Sequence, residues 1–353
     1  MVKPLVSVVI PSYNHARFIG EAVKSALGQT VKDLEVVVVD DGSSDETLQV
    51  LSRIKDDRLK IFSQENKGAH EALNRGIALS SGEFISILNS DDVYASNRIE
   101  RLLAVVTEQP ELGVVGTYIE VIDAEGNHLG IKRAYHSLEP WLLEHPERSF
   151  RATSDLRAAL LTENYFATTS NFFARRAVFE RVGVFFPLRY AHDWDFLLRA
   201  SRLYPLGMVE APLLRYRVHS SNTIRENESA MVFEILWCLA THLPKHLADK
   251  SWLDPNKRDS YLERLLYSIY AFGCEHVLVS MQAQLNGLGL DAHIEMLNHN
   301  STLRAAYIRY IQEQIESQRL RRDKAEFDQS TPRHFVQQLA IRLRSFLRKF
   351  LFK

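Results

Sequence analysis

Leu5–Ile10 and Leu34–Val39 are runs of β-branched and aliphatic residues, long enough for a strand and too short for a helix. Leu59–Phe62, Phe84–Leu88 and Gly113–Tyr118 repeat that pattern. Between these runs, Ala16–Leu27, Asp45–Lys55, Ala69–Leu79 and Asn97–Thr107 carry apolar residues at helical spacing. Strand and helix in alternation predict an α/β fold, with a mostly parallel sheet and helices on both faces. From about Glu120 to Arg225 the pattern is less regular. There, Asp123-Ala124-Glu125-Gly126-Asn127 reads as a hairpin turn, Arg176–Val182 and Asp195–Leu203 as helices, and Leu213–Val218 as a strand. Beyond Glu228 the pattern is almost purely helical, with its clearest break at Leu253-Asp254-Pro255-Asn256. The expected organisation is a sheet-based domain over 1–225, a helical region over 226–330, and a separate segment over 331–353.

That last segment places Val336, Leu339, Leu343, Phe346, Leu347, Phe350 and Leu351 on one helical stripe, opposite Gln338, Arg342, Ser345 and Lys349. It has no acidic residue from Arg333 onward. A basic polar face backed by Phe and Leu suits an anionic membrane surface, engaged through 335–353. The same helix could instead dock on protein, including a second copy in a homo-oligomer.

Composition adds mainly exclusions. With 353 residues, 46% hydrophobic and 25% charged, the chain can bury a sizeable core without disulfides. Its only cysteines, Cys238 and Cys274, lie in helix-like stretches, which fits a reduced, cytoplasmic setting. A net charge of −1 gives no ground for nucleic-acid binding. No apolar run reaches the ~18 residues of a spanning helix, and Leu5–Ile10 is too short for a signal sequence. The expected location is cytoplasmic, peripheral on the inner face of the plasma membrane if the tail binds lipid.

In sheets of this kind ligands bind beyond the carboxyl ends of the strands. The residues there are Pro11-Ser12-Tyr13-Asn14, Asp40-Asp41-Gly42-Ser43, Glu65-Asn66-Lys67-Gly68 and Asn89-Ser90-Asp91-Asp92. Two adjacent carboxylates, Asp91 and Asp92, either share a hard cation such as Mg²⁺ or Mn²⁺ or form a solvated turn. Asp41 either accepts the ring N–H of a pyrimidine base or satisfies its own turn. Ser43 and Glu46 have the spacing of a capping box.

These motifs resemble family 2 glycosyltransferases of the GT-A fold. The resemblance is carried by Pro11-Ser12-Tyr13-Asn14-His15, Val39-Asp40-Asp41-Gly42-Ser43-Ser44-Asp45, Glu65-Asn66-Lys67-Gly68, Ala72-Leu73-Asn74-Arg75-Gly76, and Gly82-Glu83-Phe84 leading into Ser90-Asp91-Asp92. It implies a nucleotide-sugar donor, an inverting transfer and a Mn²⁺ or Mg²⁺ ion. Pro11, Tyr13 and Asp41 would bind the donor's base and ribose, and Asp91 would lie near the ribose or metal. Asp92 would be the chief metal ligand. Asn89 stands where the family often has an aspartate, and Leu73 where many members have an arginine.

Ala191-His192-Asp193-Trp194-Asp195 resembles the segment where the family has an acidic pair at a helix start: Asp193 takes the position of the aspartate that serves as general base, His192 replaces the usual acidic neighbour, and Asp195 is expected to be structural; the alternative for Asp193 is a helix cap. A helix N-terminus favours its ionised form. Arg215-Tyr216-Arg217-Val218-His219 resembles a segment whose histidine approaches the metal or diphosphate, so His219 is either a ligand or a structural residue. Asp41 would accept UDP and dTDP donors alike. The acceptor is expected to be a glycan or a lipid-linked sugar in bacterial surface polysaccharide or glycoconjugate synthesis, and Tyr165–Asn171 is a candidate for its binding. Two alternatives stand beside this reading: an inactive GT-A-like binding or scaffold protein, and a sugar nucleotidyltransferase. Against the second, Pro11-Ser12-Tyr13-Asn14 lacks a Gly-rich, Lys-containing loop.

Overall fold

A computed structural model of the chain describes residues 3–133, 156–162, 164–220, 222, 226–248, 274–298 and 300–327. The chain divides into two compact units, Met1–Asn227 and Glu228–Lys353.

The first unit is built on one sheet of nine strands among the described residues. These are β1 (Val6–Ser12), β2 (Leu34–Asp40), β3 (Leu59–Ser63), β4 (Phe84–Ile87), β5 (Val93–Tyr94), β6 (Val114–Ile122), β7 (His128–Lys132), β8 (Phe173–Arg175) and β9 (Gly207–Arg217). Their spatial order is β3-β2-β1-β4-β8-β6-β9-β5, with β7 against the far part of β6. β1, β2, β3 and β4 pair in parallel, as do β6 and β9. β8 joins these two blocks antiparallel to both β4 and β6, and β5 and β7 also pair antiparallel. The α/β class stands, while the parallel character is confined to those two blocks.

Every residue of β1 and β2 is buried, as strands covered on both faces must be. Val6, Val8, Ile10, Val36 and Val38 face helices α1 (Ile19–Leu27) and α4 (Arg98–Glu108). Val37 and Val39 point to the other face, where Ala72 of α3 (Ala69–Leu79) packs on them. Gly76 lets α3 lie close, since a Cβ there would fall 2.4 Å from Val9 Cγ1. A buried carboxylate enters this layer. Glu35 accepts from Ser7 Oγ at 2.7 Å, Lys60 Nζ at 2.6 Å and Ser81 N at 2.6 Å, so it fastens β2 to β1, β3 and the turn before β4.

Local boundaries differ from the sequence reading, and the strand expected at Leu213–Val218 begins earlier, as β9 (Gly207–Arg217). The expected helix Asp45–Lys55 is α2 (Thr47–Ser52). Ser43 and Glu46 make no capping box: Ser43 Oγ accepts from Asn14 N, while Asp45 Oδ1 accepts from Thr47 N. The helix expected at Asp195 starts earlier, as α7 (His192–Ser201), after α5 (Leu156–Thr162) and α6 (Arg176–Val182). The hairpin turn at Asp123–Asn127 is formed, with Asp123 Oδ1 accepting from Glu125 N and Asn127 N.

The second unit is helical throughout its described residues: α8 (Glu228–Ala248), α9 (Glu275–Leu285), α10 (Leu290–Glu295) and α11 (Thr302–Phe327). Its core holds Phe233, Leu236 and Trp237 from α8 and Met281 and Leu285 from α9. Trp237 Nε1 donates to His293 O at 2.8 Å. Cys238 and Cys274 are buried and form no disulfide. No described helix is long and apolar enough to cross a membrane. The expected break at Leu253–Asn256 and the amphipathic segment 331–353 lie outside the described residues.

Candidate active site

The ends of β1 and β2 are tied to one another. Asn14, in the left-handed region at φ +52°, accepts from Ser44 N at 2.8 Å and donates its own N–H to Ser43 Oγ at 2.9 Å. Asp41 accepts from Gln64 Nε2 (2.8 Å) and Lys67 N (2.9 Å) through Oδ1, and from Gly68 N (2.8 Å) through Oδ2. It thus organises the β3–α3 loop, and one lone pair on Oδ2 remains for a further donor. Gly42 (φ +77°) allows the loop its close approach, because a Cβ there would meet Asn66 N at 2.9 Å. Pro11 is buried in β1, whereas Tyr13 stands 47% exposed.

On the same rim, His15, Asp91 and His219 bring one ligand atom each within 4.8 Å of one another. His219 Nε2 lies 3.0 Å from Asp91 Oδ2, and His15 Nδ1 lies 2.6 Å from Ser90 Oγ. Phe18 stacks on the His219 ring at 4.9 Å. Asn222 clasps the loop after β9, its Oδ1 accepting from His219 N and its Nδ2 donating to Arg217 O. Burial pushes the His15 pKa down, which favours the neutral imidazole a metal needs. Ligand atoms around one ion at ~2.1 Å stand roughly 3 to 4 Å apart, so small rotations would close this group on a cation. Two imidazoles beside one carboxylate suit Mn²⁺ better than the oxygen-seeking Mg²⁺.

Asp92, the expected chief ligand, has a different position. It is 1% exposed, its Oδ2 accepts from Ser170 Oγ at 2.5 Å, and its Oδ1 accepts from Arg217 N at 2.9 Å. Burial and the neighbouring Asp91 charge push its pKa well up. Asp91, at the same turn, places a carboxylate oxygen 3.0 Å from His219 Nε2 and within 4.8 Å of a ring nitrogen of His15.

Asp193 lies in the first turn of α7 and is 7% exposed. Its Oδ2 accepts from Asn164 Nδ2 at 2.8 Å and its Oδ1 from Trp194 N at 2.7 Å. Burial raises its pKa, opposed by the His192 charge and by those two hydrogen bonds. Asp195 instead pairs with Arg199 at 2.7 Å inside the protein. Asn89, Thr168, Thr169 and Ser170 form a hydrogen-bonded knot: Asn89 Nδ2 donates to Thr168 Oγ1, Thr169 Oγ1 to Asn89 Oδ1, and Asn89 N to Ser170 Oγ. The segment from Asn164 to Ser170 therefore touches both acid groups. The Cα atoms of Asn164 and Ser170, six steps apart along the chain, can be at most ~20 Å from one another.

The model of a known family, "Glycosyl transferase family 2", matches residues 7–183. The chain belongs to this family. An uncharacterized glycosyltransferase of Rickettsia typhi is 31% identical over 238 residues, covering 66% of this chain and 70% of that protein. Among solved structures, S. aureus TarS 1–349 in complex with UDP aligns with TM-score 0.55 at 19% identity, covering 90% of this chain and 92% of that one. The mannosyltransferase PcManGT from Pyrobaculum calidifontis, in complex with GDP-Man and Mn²⁺, aligns with TM-score 0.50 at 18% identity, covering 89% and 87%. These likenesses carry the GT-A fold to this family 2 chain.

Set against the family pattern, the residues sort by environment. Leu73, where many members have arginine, is fully buried core. Tyr165–Asn171, expected to bind acceptor, is an interior support, with Phe166, Ser170 and Asn171 at 0% exposure. His15 is the group the sequence reading passed over. It follows the first strand directly, on the rim where His219 and Asp91 were sought, and that position was the available signal.

Proposed function

We propose that this chain moves a sugar from a UDP- or dTDP-linked donor to a hydroxyl of a glycan or lipid-linked acceptor, with inversion, in bacterial surface polysaccharide or glycoconjugate synthesis. The observation that carries this reading is that His15, Asp91 and His219 bring ligand atoms within 4.8 Å of one another, as a group that could hold a cation, while Asp193 makes its hydrogen bonds to Asn164 and Trp194 instead. The UDP bound to TarS and the GDP-Man bound to PcManGT support a nucleotide-sugar donor.

In this mechanism Tyr13 offers an exposed ring to the donor base, and Asp41 offers its remaining lone pair to the base's N–H. His15, Asp91 and His219 hold the cation, which when bound supplies Lewis-acid stabilisation of the departing diphosphate. Asp92 keeps the turn rigid from inside and takes no direct part. Asp193 accepts the proton of the attacking hydroxyl, a contribution typically worth ~10²–10⁴ in rate. Burial holds its carboxyl above the ordinary range and so makes it a stronger base.

A panel of UDP- and dTDP-sugars, screened for Mn²⁺-dependent thermal shift, identifies the donor. Asp193→Ala should then retain that shift and lose transfer by a factor of ~10²–10⁴. Equal transfer by this variant and the parent would remove the base assignment.

A further inference from the structure

The structure assigns a role to Asn164 that its position in the sequence does not suggest. Its side-chain oxygen and its main-chain carbonyl both accept from Ala167 N, at 3.3 and 3.1 Å. Ala167 itself sits in the left-handed region at φ +68°. With the amide oxygen committed to this turn, only the NH₂ is left for Asp193, and Nδ2 donates to Asp193 Oδ2 at 2.8 Å. A flipped amide would set its oxygen against the carboxylate and lose both bonds. The amide orientation is therefore fixed from both ends.

We propose that Asn164 is a positioning residue for the base: it orients the Asp193 carboxylate towards the acceptor and sets the acidity at which that carboxylate works. The inference rests on reading Asp193 as the base. Asn164 Nδ2 donates to Asp193 Oδ2 and Trp194 N to Oδ1, and the main-chain N–H of Asp193 also bonds its own carboxylate. Of these donors, the Trp194 and Asp193 N–H groups belong to the main chain, and only Asn164 donates from a side chain. Asn164 is thus the adjustable one. His192, on the same helix, is the titratable group that faces Asp193, and its charge also favours the carboxylate. The turn at Ala167 continues directly into the Thr168–Ser170 knot around Asn89 and Asp92, so a change at Asn164 is anchored against the turn that bears Asp91.

The test is a titration of Asp193 by its carboxyl ¹³C resonance in the full chain without ligand, for the parent, Asn164→Ala and Asn164→Asp. Losing a hydrogen bond to a charged group should raise the Asp193 pKa by about one to two pH units in Asn164→Ala. Asn164→Asp keeps the shape and the acceptor for Ala167 N but adds a like charge, so its shift should be larger. Kinetics on the panel-selected donor with Mn²⁺ should show the acid limb of kcat moving up by the same amount, with donor KM unchanged. In an Asp193→Asn background, Asn164→Ala should have no further effect on rate. An unmoved Asp193 resonance in both variants, or additive losses in the double variant, would overturn the assignment. Asp193→Ala retaining full transfer would instead sink the base reading on which it rests.

Discussion

Asp92 accepts from Ser170 Oγ and Arg217 N inside the protein, whereas the Asp91 carboxylate approaches His219 on the rim. The two adjacent acids should therefore fail differently. Asp92→Ala strands two buried donors and should lower stability by about 1–3 kcal/mol in urea unfolding. Asp91→Asn should leave stability nearly unchanged while weakening Mn²⁺ binding, read by calorimetry. The opposite assignment of losses would restore Asp92 as the ligand. Asp193 adds a pH dependence. A carboxyl raised by burial stays protonated to higher pH, and a protonated base cannot accept the hydroxyl proton. Transfer should thus fall on the acid side above the ordinary aspartate range, visible in a kcat profile. None of this separation between Asp91 and Asp92 is legible in sequence, because adjacency says nothing about which carboxylate turns inward. The inward partner, Arg217 N, is supplied by a strand residue 125 positions further along the chain.

At the scale of elements, β1, β2 and the helices α1, α3 and α4 were readable because each carries a full period of buried positions. β5 has 2 residues and β8 has 3, too few for any period, and both pair antiparallel, as the longer β7 also does. Hence a mostly parallel sheet is legible in the sequence, while the antiparallel junction at β8 is not. The 164–171 segment reads as irregular chain, and its function as a brace comes from Asn164, Thr168, Thr169 and Ser170 meeting partners on distant elements. Ala167→Gly should relieve the left-handed strain there and stabilise the protein by about 1 kcal/mol in thermal unfolding. Glu35 makes a second element-scale prediction. Burial pushes its carboxyl up, but hydrogen bonds from Lys60, Ser7 and Ser81 outweigh it and bring the pKa down from 4.5 to about 2. A group depressed in this way adds stability above its unfolded pKa and loses it as pH falls through the folded one. The parent should therefore lose urea resistance between about pH 4.5 and 2, and Glu35→Gln should show a flatter loss over that window while being weaker at neutral pH.

For the molecule as a whole, the candidate site draws its residues from the first unit, Met1–Asn227, which has its own core. A chain ending at Asn227 should keep the Mn²⁺-dependent thermal shift with a bound UDP-sugar; a folded product without that shift would assign part of the site to the helical unit. The basic segment 335–353 should float the full chain with phosphatidylglycerol vesicles, and a chain ending near Asp328 should stay behind; equal flotation refutes a membrane role for it. The central claim is that one cluster holds the cation and a different carboxylate takes the proton. Mn²⁺ titration in the presence of UDP, followed by loss of the free-ion electron paramagnetic resonance signal, addresses it most directly. Asp91→Asn and His219→Ala should each weaken Mn²⁺ binding about tenfold or more, one such factor being about 1.4 kcal/mol, while Asp193→Asn binds as the parent does. Mn²⁺ affinity lost in Asp193→Asn, or kept in both Asp91→Asn and His219→Ala, would contradict it.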